Sequence, residues 1–232
     1  MEKTNRLLIP FFIFVIIISL LGFYKTYLSF FPNFNHFEKV IHIHFAAFIL
    51  WFVLIILQPI LIRQRKYALQ RKIGKLSYFL VPILVVTILI LVTQKTQREL
   101  SAGQTDAYVT AFIGLLDAVF LSIYYCIAMY YRRNIRWHVA FLIGATLIIL
   151  NPGMSRLLNQ IKPGLGLLTS VIMPFLIPIL ILIFEKIKFK RKIWGSPYLY
   201  FLMFWTFEII LLVTVPNTII WKNIVNYIMK IV

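Results

Sequence analysis

The sequence predicts an all-α fold: a polytopic transmembrane helical bundle of about seven spanning helices, followed by a short C-terminal interfacial helix. Three observations predict it. Hydrophobic residues fill 61% of the 232 positions and charged residues only 13%, whereas a soluble domain is about 25% charged and about half apolar. The apolar residues gather into seven runs, near 7–24, 40–62, 75–93, 108–130, 137–155, 165–184 and 196–215. Each approaches the roughly 20 residues that cross a bilayer as helix. The runs are continuous rather than alternating, which excludes barrel strands. They consume nearly the whole chain, so residues 1–232 read as a single transmembrane domain with no room for a soluble one.

The elements follow in order. Lys3 and Arg6 precede the first run. That run exceeds a signal-peptide core of about 7–15 residues and no small-x-small cleavage site follows, so it reads as a retained signal anchor. In the second run His44, Trp51 and Gln58 recur every seven residues and share one face. His42, two residues from His44, points elsewhere. Gln58-Pro59 adds a polar group and a kink. Pro82 in the third run, and Pro174 and Pro178 in the sixth, are tolerable where neighbouring helices satisfy the freed carbonyls. The fourth run holds Asp117 and the single cysteine, Cys126. One cysteine excludes an intramolecular disulfide and a cysteine-built zinc site, leaving a small buried hydrophobe as its role.

The fifth run opens on Trp137-His138 and closes on Asn151-Pro152-Gly153-Met154-Ser155-Arg156, with Gly144, Ala145 and Thr146 small enough for close helix approach. The seventh contains Glu208 and ends at Pro216. Beyond it Lys222, Asn226 and Lys230 fall at i, i+4 and i+8 with Ile and Val elsewhere. This pattern suits a short helix lying flat on the outer surface. Tyr24, Tyr27, Phe30, Tyr130, Tyr131, Trp137, Trp194 and Tyr198 fall near run ends, where rings with polar tips anchor in the headgroup layer.

Charge sets the expected orientation. The formal net charge is +17, from 24 Lys and Arg against 7 Asp and Glu. Two basic residues lie in the N-terminal tail, six in the second loop, three in the fourth and five in the sixth, against two in each segment on the other side. The positive-inside rule places the N-terminus in the cytoplasm and the C-terminus outside. The basic residues sit between apolar runs, so the expected partner is the lipid bilayer, anionic lipid included, and not nucleic acid.

Ionisable groups at bilayer depth are costly and mark function by default. By depth, His44, Asp117, Arg156 and Glu208 belong to the outer half. They form the candidate polar pocket, opening outward, with Asp117 paired to His44 or Arg156. Gln58, Gln70 and His138 form a separate inner polar group. Asp117 and Glu208 also read as helix–helix glue, held protonated and hydrogen-bonded.

His44, Trp51 and Gln58-Pro59, the basic loop ending Gln70-Arg71-Lys72-Ile73-Gly74, then Asp117, Arg132-Arg133, His138, Ala145-Thr146 and Asn151-Pro152 to Arg156 occur in a characteristic order. Over about residues 40–160 the chain thereby resembles an uncharacterised family of small bacterial polytopic membrane proteins, a domain of unknown function. Such proteins often carry His where this chain has Gln70. The resemblance implies a helical fold and a bacterial inner membrane, and it implies no activity.

Four functions compete. The first is a protein that binds or translocates a small solute or proton, with Asp117 titrating, His44 as relay and Arg156 as counter-charge; internal repeats and broken helix pairs are absent. The second is a haem-b electron-transfer protein. Haem iron commonly takes axial His, but His36, His42 and His44 lie towards one side and His138 towards the other. The third is an outer metal site from Glu38 and His42 at i, i+4, with His36 nearby. The fourth is a non-catalytic membrane assembly partner. No nucleophile–base pair, phosphate loop or dinucleotide turn appears, so no catalytic or metal-binding residue is assigned and the reading leans against an enzyme.

Overall fold

The computed structural model describes residues 8–231. Lys3, Arg6 and Leu7, on which part of the orientation and the first run rested, lie outside the described residues, as does Val232. Among the described residues there is no β-strand. The helices are α1 (Leu8–Tyr24), α2 (Lys39–Arg63), α3 (Tyr67–Gly74), α4 (Ser77–Ser101), α5 (Ala107–Tyr130), α6 (Ile135–Asn159), α7 (Leu165–Phe189), α8 (Pro197–Thr214) and α9 (Ile219–Ile231). Six stretches, in α2 and in α4 to α8, are long and apolar enough to cross a membrane, and α1 is a shorter apolar helix of 17 residues. The chain is a multi-pass helical membrane protein.

Most helices outrun their apolar cores. The third run, expected over 75–93, continues to Ser101. Residues Gln94, Lys95, Gln97, Arg98 and Glu99 are good helix formers, and Lys95 pairs with Glu99 one turn on, at 3.4 Å. Between α2 and α4 the basic loop is partly helical as α3, because Ala68, Leu69, Gln70, Arg71 and Lys72 all favour helix. Pro59, Pro82, Pro152, Pro174 and Pro178 all lie within helices.

The chain divides into two compact units. Among the described residues the first contains 8–87 and 149–167, the second 88–148 and 168–231. In the first unit α1 buries Phe12, Val15, Ser19 and Gly22, a single stripe at helical spacing. Its end meets the second half of α6 at Gly22 and Gly153. A methyl group on Gly22 would collide with the Gly153 backbone, and one on Gly153 would lie 2.9 Å from Ser19 Cα. The two backbones therefore touch, the arrangement that small residues permit between membrane helices.

In the second unit α5 packs on α8 and on α9. The α5 face is built of Ala107, Ala111, Gly114, Ala118, Leu121, Tyr125 and Ala128 with larger rings between. The α9 helix is pinned by Trp221, whose indole N–H donates to Tyr108 O at 2.9 Å and whose ring meets Phe112 edge-on at 4.9 Å. Val225 is buried beside it, whereas Ile220, Ile224, Tyr227 and Ile231 are exposed, with Lys222, Asn226 and Lys230 on a separate stripe. Such a helix lies in the interface, one edge on protein and one in lipid.

Candidate functional site

In the second unit Thr110, Asp117 and Tyr124 recur every seven residues along α5 and share a face. On α8 the buried residues are Pro197, Tyr198, Phe201, Trp205 and Glu208. Glu208 thus occupies a position where the repeat calls for an apolar side chain. Tyr124 is fully buried, and its hydroxyl donates to Glu208 Oε2 at 3.5 Å, the long limit for such a bond. The rings of Phe120, Phe141, Phe201 and Phe204 surround Tyr124 at centroid distances of 5.2 to 6.3 Å. Asp117 stands two turns before Tyr124 on the same face of α5. Among the described residues neither acid forms a salt bridge.

The surroundings of this pair are tightly filled. A β-carbon on Gly144 of α6 would lie 2.6 Å from Phe201 Cε2 and 3.4 Å from Tyr124 Cδ2. Trp205, one turn before Glu208, donates its indole N–H to Val171 O at 3.1 Å, one turn ahead of Pro174 in α7. The aromatic shell and this hydrogen bond therefore fix the face of α8 that carries the acid.

A second buried acid of the same unit has a different setting. Glu185, near the end of α7, accepts from Arg136 Nε at 3.1 Å and from Arg191 Nη1 at 2.8 Å on one oxygen. Its other oxygen accepts from Arg136 Nη2. That Nη2 also donates to Ser196 Oγ, 3.0 Å away, just ahead of α8. One carboxylate so ties together the start of α6, the end of α7 and the approach to α8. The sequence reading missed this clamp, because it ended the sixth run at 184 and treated the loop beyond only as a count of positive charge. A lone acid flanked by Lys186, Lys188, Lys190, Arg191 and Lys192 is the signal that points to it. Of the expected inner group, His138 lies in this unit. Its Nδ1 hydrogen-bonds Ala128 O at 2.8 Å, so Nδ1 donates and Nε2 carries the lone pair.

The first unit holds the other expected residues. His44 Nδ1 lies 2.8 Å from Thr87 Oγ1. The Thr87 hydroxyl reaches Ile83 O at 2.7 Å and Leu84 O at 3.0 Å. With its one proton committed to the backbone, Thr87 accepts from His44, leaving the lone pair on Nε2. Arg156 stacks its guanidinium 4.5 Å above the Phe23 ring. Gln58 and Gln70 come together: Gln70 Nε2 donates to Gln58 Oε1 at 2.5 Å, and Gln58 Nε2 returns to Gln70 O at 3.4 Å. Gly74 packs against the same amide. The pair clasps α3 to the end of α2. The partners of His44 and Arg156 lie in their own unit, and those of Glu208 in its own.

The outer metal site proposed from Glu38, His42 and His36 is not formed. His42 Nδ1 is taken by the Tyr27 hydroxyl at 2.7 Å, inside a cluster of Phe34, Phe37 and Phe45. Among the described residues no group of three or more His, Cys, Asp or Glu is gathered as a metal site. No protein-family model, curated protein or solved structure matches the chain.

Proposed function

We propose that the protein binds and passes protons within the membrane, with Asp117 and Glu208 as the proton-holding pair and Tyr124 as the hydroxyl between α5 and α8. One observation carries this reading: Glu208 is a buried carboxyl group inside a membrane-spanning helix, bonded to Tyr124 on the α5 face that also carries Asp117, and among the described residues neither acid has a salt bridge. A carboxylate at bilayer depth needs a positive charge close by. Here a proton supplies it.

Space favours a proton over a solute of several atoms. Phe201 and Phe204 close around Tyr124, the partner of Glu208, and not even a methyl group fits beside Gly144. A larger guest would have to displace those rings, whereas a proton needs no room. Thr110 extends the polar stripe from Asp117 towards one end of α5, the end that the basic loops place outside. In that arrangement the N-terminus is cytoplasmic, the C-terminus external and the host a bacterial inner membrane. In the other unit His44, with its lone pair on Nε2, offers a second proton acceptor.

Infrared difference spectroscopy of the full-length protein in phosphatidylcholine vesicles, recorded across pH, tests the proposal. The wild type is expected to show a protonated-carboxyl stretching band that Glu208→Gln removes and Asp117→Asn displaces. Vesicles with an entrapped pH-sensitive dye should equilibrate protons more slowly with either variant. If both variants insert normally and neither the band nor the proton flux changes, the two acids only hold helices together.

A further inference from the structure

We propose that the Arg136–Glu185–Arg191 clamp and the basic residues around it form a binding site for the headgroup of an anionic phospholipid. The clamp is rich in positive charge. Glu185 is one carboxylate facing two guanidiniums. Residues 130–136 and 184–196 together contain eight Lys and Arg, and Glu185 is their one acid. Lys186, Lys188, Lys190 and Lys192 are all exposed. The side chains of Arg136 and Arg191 each keep 27% of their surface accessible.

The cluster is held rigidly, which separates it from a loop of wandering lysines. Arg136 spends Nε and Nη2 on Glu185 and Ser196. Arg191 is fixed on Glu185 and lies 5.2 Å from the centre of the Phe189 ring. Two planar guanidiniums set at a fixed distance suit a phosphate diester, which accepts through several oxygens.

The surroundings identify the source of that phosphate. Trp194 is 87% exposed and Tyr130 81% exposed on the two segments that carry the charges. Tyr131, Trp137 and Tyr200 form a shelf beside them, with centroids 4.5 and 5.2 Å apart along the row. Bare aromatic rings at the ends of spanning helices belong to the headgroup layer. Ile135 and Ile187 are likewise exposed next to the cations, apolar surface on which acyl chains can lie. A soluble anion would use the charges and leave this surface unexplained. Basic clusters between helix ends are where acidic headgroups bind.

Native mass spectrometry of the full-length protein, titrated with phosphatidylglycerol and with phosphatidylcholine, tests this site. Phosphatidylglycerol should be retained preferentially. The double variant Lys188→Gln/Lys190→Gln leaves the clamp intact and should weaken that retention roughly fivefold per lysine, at about 1 kcal/mol for each charge near the surface. Equal retention of the two lipids, or retention unchanged in the double variant, would overturn the proposal. An inorganic phosphate arm distinguishes the sources. Failure of phosphate at tenfold excess over the lipid to displace it supports a headgroup site, and displacement there assigns the cluster to a soluble anion and overturns it.

Discussion

Glu185 and Glu208 lie in the same unit and are nearly equally hidden, at 2% and 4% exposure, yet they are opposites in charge accounting. Glu185 sits near the end of α7 between two arginines. Glu208 sits inside a spanning helix against one tyrosine hydroxyl at 3.5 Å. Burial alone therefore says little about role. A buried acid that is fully paired belongs to the architecture, and removing it strands its partners. One that lacks a cation has its charge balance left open, and a mobile proton can close it.

The largest effect should come from the paired acid. Glu185→Gln leaves two arginines facing a neutral amide and should destabilise the protein by about 3 kcal/mol, read as a lower midpoint in thermal or denaturant unfolding in detergent. Next comes crowding at the other acid. Gly144→Ala drives a methyl group into Phe201 and should cost about 2 kcal/mol, while moving the ring that positions Tyr124. A proton-flux assay should then show a defect beyond the loss of folded protein. Tyr124→Phe deletes one long hydrogen bond and should cost about 0.5–1 kcal/mol. Smallest of all is Glu208→Gln, expected within about 1 kcal/mol of wild type, because it removes an acid that no cation among the described residues compensates. Should Glu208→Gln prove as damaging as Glu185→Gln, the two acids are alike and the contrast fails.

The sequence made the spans legible because lipid imposes a simple rule, a long apolar stretch. It made Asp117 and Glu208 legible for the same reason, as acids standing where that rule forbids them. Helix ends were less legible. Polar helix formers such as Gln94 to Glu99 extend a helix into water without changing the apolar pattern, so α4 runs eight residues beyond the expected boundary. The partners were not legible at all. That Tyr124 meets Glu208, that Thr87 meets His44, and that Arg136 reaches Glu185 across 49 positions depend on packing. Tyrosine, threonine and arginine have innocent explanations in any membrane sequence. Glu185 was the nearest miss. Its position at the edge of a positive loop carried the information, and a tally of basic residues alone discarded it.

The contact of Gly22 with Gly153 ties synthesis to assembly. The first helix leaves the ribosome long before the segment it rests on exists, and chains assemble from the N-terminal side as they emerge. Until α6 is complete, the bare glycine flank of α1 has nothing of its own to lean on and must be held by lipid or by the insertion machinery. A chain halted after α5 therefore contains a first helix that leans on α2 but keeps its glycine flank uncovered, and the first unit closes only when its latecomer arrives.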